Sequence, residues 1–350
     1  MSWHAIESVD NAIDATRSFL FPVEAVAWLK LAVITIFVGV GGGGGVSAVS
    51  NVANLPAAVP PEATEQATLT ELLAGVSTTE LLVGVGILAV AVVVGVALSI
   101  LSETLRFVFY DALRTQTVRL REPARRRVRQ AVRLFGFKLF VGIGFALPFV
   151  AGGAVLWAVG VDSIGDTGLF VGLVGGGIFV VVAGILYTLI IRGTDEFVVP
   201  LMVTTDSGVL DGWRRFWPVV RSQPAQFVVY IIVHFLLLIA IGIGQSIIGA
   251  LIFGLVGTIG ALFGLLVVFG LFGGLSATLA STAGAITLGA LVVLTLVAAL
   301  VFYLPVSIVV LTYVISYEVS VLAAADDDFQ LLPESSDEAG GDSAESTPTV

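Results

Sequence analysis

The chain has 350 residues, of which 57% are apolar and only 12% charged, with a mean hydropathy of +1.05 and no cysteine. Soluble domains carry about 25% charged residues, and a single water-facing core stops growing at about 250–300 residues, so these apolar groups need a bilayer as their solvent. The same figures exclude a basic-patch nucleic-acid binder, a disulfide scaffold and a wholly disordered chain; the expected class is all-α integral membrane.

At the start, Trp3, Ile6, Val9, Ile13 and Phe19/Leu20 recur at helical spacing, with His4, Glu7, Asn11, Asp14 and Ser18 between them. No basic stretch precedes an apolar one in residues 1–21, so no secretory signal is expected and targeting falls to the spans. About 20 apolar residues cross a bilayer core as a helix. Runs of that kind predict spans near residues 24–49, 80–101, 134–159 and 168–191. The apolar stretch 226–322, interrupted mainly by His234, Gln245 and Glu318, predicts two long broken helices at 226–266 and 283–322. The total is then six spans; four short helices in that stretch would make eight. Residues 1–325 thus form one polytopic domain.

The basic residues set the expected orientation. Arg17 and Lys30 come first, ten more lie from Arg106 to Lys138, and Arg192, Arg214, Arg215 and Arg221 complete the 16. Residues 50–79, 160–167 and 267–282 contain none. Because Lys and Arg stay on the cytoplasmic side during insertion, both termini are expected in the cytoplasm of a cell-membrane protein. The formal charge of −10 is concentrated after residue 325, where eight acids and no base occur among Asp, Glu, Ser, Gly and Pro. Residues 326–350 are therefore expected to be a disordered acidic tail, solubilising in its plainest reading. Arginine outnumbers lysine 14 to 2, which together with that tail fits a halophilic habitat.

An amphipathic segment precedes each hairpin of spans. The second begins at Pro123, a residue suited to a first helical turn; Ala124, Val128, Ala131, Val132 and Phe135 share one face and Arg125, Arg126, Arg129 and Arg133 another. The third sets Val209, Leu210, Trp213, Phe216, Trp217 and Val220 against Arg214, Arg215 and Arg221. Helices of this kind are expected to lie in the membrane interface. Phe107-Val108-Phe109 ahead of Arg125 and Phe197-Val198-Val199 ahead of Arg214 echo one another, which predicts three repeats of interfacial helix plus transmembrane hairpin.

The stretch Thr194-Asp195-Glu196-Phe197-Val198-Val199-Pro200-Leu201-Met202-Val203, then Gly208 to Trp217 and an apolar run, resembles the six-helix membrane domain found beside some glycerophosphodiester phosphodiesterases. The same domain occurs in related uncharacterised membrane proteins, and the Arg-rich, acidic-tailed style resembles their haloarchaeal multi-pass members. The similarity rests mainly on residues 102–235. It implies a fold and no phosphodiesterase activity, since no such catalytic domain is attached.

Constellations for catalysis are missing. The run Gly41 to Gly45 lacks the Lys-Ser/Thr of a phosphate loop, and Gly142-Ile143-Gly144 has no strand-turn-helix setting. Two histidines and no cysteine make a zinc or haem site improbable, so no enzyme activity, metal or cofactor is expected. Ionisable groups inside spans are costly and mark candidate sites. His234 is the clearest, and Gln245 lies three helical turns further on the same face, a candidate polar track for a transporter. Lys30, Glu103 and Glu318, near cytoplasmic ends, are explained by snorkelling or pairing, and Glu103 with Arg106 is an i,i+3 pair. Gly172/Gly176, Gly260/Gly264 and Gly270/Gly274 are small-xxx-small pairs expected to pack helices. The basic groups Arg125, Arg126, Arg129, Arg133, Arg214, Arg215 and Arg221 are the candidate contacts to anionic lipid. The expected role is therefore a lipid-interacting, scaffolding or accessory membrane protein, the alternative being a transporter. The expected partners are membrane lipids, not nucleic acid, with a homo-oligomer or a larger complex of unknown partner also open.

Overall fold

The computed structural model describes residues 4–41, 77–160, 165–325, 329 and 331, and these are helical with no strand among them. In chain order the helices are α1 (His4–Leu20), α2 (Ala25–Gly41), α3 (Thr78–Thr115), α4 (Arg121–Val159) and α5 (Asp166–Gly193). A π-helical turn (Thr194–Val198) carries α5 into α6 (Val199–Thr205). Then follow α7 (Val209–Ser222), α8 (Pro224–Leu265) with a π-helical end (Leu266–Leu271), α9 (Leu275–Ala280) and α10 (Thr282–Ala325).

Five of these helical stretches are long and apolar enough to cross a membrane: 78–115, 121–158, 174–205, 224–271 and 282–325. The first expected span is represented by α2, a shorter apolar helix, and its remainder, residues 42–49, lies outside the described residues. The stretch 226–322 forms two long helices, and α10 continues through Pro305. Side chains such as Leu82, Ile87 and Val93 on α3 or Val150 and Trp157 on α4 point outward around these helices. A helix apolar on every side and uncovered by protein is stable only in hydrocarbon, so the chain is a membrane-embedded helical protein.

These helices overshoot the bilayer. The 38 residues of α3 extend about 57 Å at 1.5 Å per residue, against a hydrocarbon core of about 30 Å. Burial shows where the overshoot goes. Residues 102–110, 196–203 and 315–322 are buried without a break, each toward the C-terminal end of one of the long helical stretches.

The chain divides into two compact units, residues 1–35 with 220–328, and residues 36–219 with 329–350. In the first, Gly249 faces Tyr303, Gly260 faces Thr295 and Gly264 faces Leu291; the partners run in opposite order, the register of an antiparallel α8–α10 pair. Helix α1 packs along α10 by a seam of mostly small residues, Ser8, Ala12, Thr16 and Leu20, which leaves Ile6 and Ile13 exposed. Small residues let backbones approach closely, so packing here uses a different face from the one apolar periodicity picks out. In the second unit, α3 begins at a capping box, with Ser77 and Glu80 each accepting a hydrogen bond from the other's backbone N–H. It packs antiparallel on α4, which in turn meets α5 through Phe145–Tyr187 and Phe149–Phe179 ring contacts.

The second amphipathic segment is no separate interfacial helix, because α4 runs without interruption from Arg121 into its span. The third is separate, but protein takes much of its apolar face. On α7, Val209, Gly212, Phe216 and Val219 are buried, Phe216 stacks on Phe197 at 4.8 Å, and Trp213 Nε1 donates to Thr194 Oγ1 at 3.1 Å. Leu210 and Trp217 stay exposed beside Arg214 and Arg215. Of the acidic tail, Phe329 and Leu331 are described, and both are buried; the rest lies outside the described residues.

Candidate functional site

In the second unit, four charged side chains from three helices close on one another. Glu103 and Arg106 come from α3, Lys138 from α4 and Asp195 from the π-helical turn after α5. Lys138 Nζ lies 2.6 Å from Glu103 Oε1 and 2.6 Å from Asp195 Oδ1. Arg106 reaches Asp195 Oδ1 at 2.7 Å and Glu103 Oε2 at 3.9 Å. The contacts on Asp195 Oδ1 are charge contacts not aligned as hydrogen bonds. Tyr110 donates its hydroxyl proton to the Asp195 carbonyl at 3.3 Å. Two positive and two negative charges make the cluster neutral, which is how charge is tolerated in a buried setting. A π-helical turn inserts one residue into the helical register; here it lies where Asp195 meets the cations while Glu196 pairs back to Arg192 at 2.7 Å.

A second polar network lies one to two turns beyond the first on α3. Arg127 grips both oxygens of Asp111 from Nε and a terminal nitrogen at 2.9 and 2.8 Å. It also reaches Asp206 at 3.2 Å and the Val203 carbonyl at 3.4 Å. Gln130 donates to the Met202 carbonyl at 3.3 Å and to Asp206 at 3.0 Å. The last carbonyls of a helix have no partner within it, so Arg127 and Gln130 together cap the end of α6, whose chain then leaves through Asp206 at a left-handed φ of 50°.

The candidate lipid contacts are all exposed: Arg125, Arg126, Arg129 and Arg133 on α4, and Arg214, Arg215 and Arg221 on α7. Arg126 pairs with Glu122 and Arg214 with Asp211 at 3.7 Å. Arg125, Arg129 and Arg133 stand four residues apart, with exposed Val128 and Val132 between them.

His234, in the first unit, is buried. Its ring lies 5.2 Å from that of Tyr230 and 5.9 Å from that of Tyr317, and the Tyr230 hydroxyl is 3.3 Å from Nδ1. The Glu318 carboxylate comes within 4.8 Å of the imidazole. No acid at helical spacing along α8 announces this pair; the acid comes from α10. Gln245, eleven residues on, is half-buried. Sequence reading missed three features. Arg127 is not distinguishable from its arginine neighbours, Lys138 reads as one more cytoplasmic base, and Asp195 appears only as part of a resemblance.

No curated protein and no solved structure matches the chain. A family model does match, over residues 3–332, and the chain belongs to that family, DUF7544, a family of unknown function.

Proposed function

We propose that this is a non-enzymatic, multi-pass protein of the cell membrane, with both termini in the cytoplasm, that binds anionic lipid and serves as a lipid-interacting scaffold or accessory subunit. The observation that carries this reading is the exposed face of α4. Arg125, Arg129 and Arg133 form a line flanked by Val128 and Val132, no ion pair engages them among the described residues, and the helix passes directly into its span. Arginine near an anionic bilayer gains about 1 kcal/mol per charge, and the valines suit the boundary between headgroups and chains. The resemblance to the six-helix domain beside lipid-headgroup phosphodiesterases fits a lipid-facing role, and three buried helix ends fit a threefold repeat.

The test is lipid copurification. The full chain, purified in mild detergent, is compared with a variant carrying Arg125→Gln, Arg129→Gln and Arg133→Gln by native mass spectrometry. The variant is expected to lose most of its salt-sensitive anionic lipid, and unchanged retention overturns the proposal. Transport is the second reading, favoured by the buried His234–Glu318 pair beneath two tyrosines. It expects His234→Ala to abolish a flux through proteoliposomes while expression stays level.

A further inference from the structure

The charged cluster opens on one side into a groove of about 410 Å³ between α3, α4 and α5. Its lining follows α4 along Phe135, Lys138, Gly142 and Ala146, with Glu103 on α3 and Tyr187 on α5. From Phe135 to Ala146 the groove covers about 16 Å of helix. The chemistry changes along it: Lys138 and Glu103 stand at one end, and past Lys138 the α4 side is apolar. Gly142 forms part of the floor, and a Cβ placed there would have no neighbour within 4 Å. Leu139 and Ile143, also lining the groove, are exposed, so it faces the surrounding lipid. An ammonium group has three protons; Lys138 donates one to Glu103 at 2.6 Å and stands beside Asp195 Oδ1 in a charge contact.

We propose that this groove holds one phospholipid of the surrounding membrane, its phosphate oxygen on a Lys138 proton that Glu103 does not take and one acyl chain lying over Gly142 and Ala146. The polar end sits where the apolar span of α4 gives way to its charged third, the depth of the headgroups, so a lipid enters sideways without leaving its leaflet. A soluble anion would gain only the single donor at a neutral cluster, whereas a lipid adds burial of its chain at about 0.8 kcal/mol per CH₂. The site shares with the surface reading above only that the chain lies in a bilayer.

The experiment uses the full chain in nanodiscs of phosphatidylglycerol, then stepwise delipidation in high salt and native mass spectrometry. One phosphatidylglycerol per chain is expected to persist after the salt-sensitive lipids have gone. Gly142→Trp, which fills the floor, is expected to weaken its retention about tenfold, while the triple arginine variant keeps it. Equal retention in Gly142→Trp overturns the site, as does equal retention of diacylglycerol, which lacks the phosphate. Because a tryptophan there could disturb folding, the wild-type chain is also crosslinked to phosphatidylglycerol bearing a diazirine on its acyl chain. Label on the lining, within residues 99–103 or 135–146 or at Tyr187, supports the proposal, and label only elsewhere overturns it.

Discussion

At the scale of the residue, the two networks that join helices differ from the exposed arginines in what their loss costs. Removing one member of a buried ion pair strands the other charge, at about 3–5 kcal/mol. Lys138→Met leaves Glu103 and Asp195 short of a cation and is expected to lower the thermal midpoint in detergent sharply. The double variant Glu103→Leu with Lys138→Leu keeps Arg106 on Asp195 and is expected to lose less than the single one; a larger loss would show that the four charges do not act as a neutral set. Arg127→Lys keeps the charge but gives up the two-pronged grip on Asp111, at about 1–3 kcal/mol. Arg125→Lys, on the exposed side of the same turn, is expected to shift the midpoint by less than can be measured. Sequence supports no such ranking, since the run from Arg125 to Arg129 holds four arginines and only the neighbours of Arg127 make it structural.

At the scale of the element, the three small-xxx-small pairs are alike in sequence and unlike in place. Gly260 is pressed against Thr295, where an added Cβ would collide, and Gly264 approaches Leu291 at 3.8 Å. A Cβ added at Gly172 or Gly176 would meet none of the described residues within 4 Å, and Gly274 is a turn residue at φ 147°. Gly260→Leu is therefore expected to destabilise the α8–α10 pair by about 1–3 kcal/mol, whereas Gly176→Leu is expected to be tolerated, both read as thermal midpoints in detergent. Equal effects would show that the close approach at Gly260 is not a feature of the folded protein. The amphipathic segments carry the same lesson. On α7 apolar periodicity correctly marks Val209 and Phe216 as inward, but what they meet is protein. On α1 the buried line is Ser8, Ala12 and Thr16, which hydropathy ranks below the exposed Ile6 and Ile13.

At the scale of the whole molecule, the absence of lysine and arginine from residues 50–79, 160–167 and 267–282 predicts sidedness. The chain has no cysteine, so single substitutions report position cleanly. On intact cells an impermeant maleimide is expected to label Ser163→Cys and spare Arg119→Cys, and the reverse pattern would invert the topology. Sequence by itself determined that the chain is helical, that it lives in a membrane, and about where its long apolar helices run. Those are properties of single helices, set by the length of an apolar run and the transfer of each side chain into lipid. Tertiary structure decided that α4 is one helix from Arg121 onward, that Asp195 meets Lys138 and Arg106, that Glu318 meets His234, and that one glycine pair of three is a packing seam. Each of these depends on which helices are neighbours and in what register, and a one-dimensional pattern of hydropathy and charge holds no term for contacts between residues far apart in the chain.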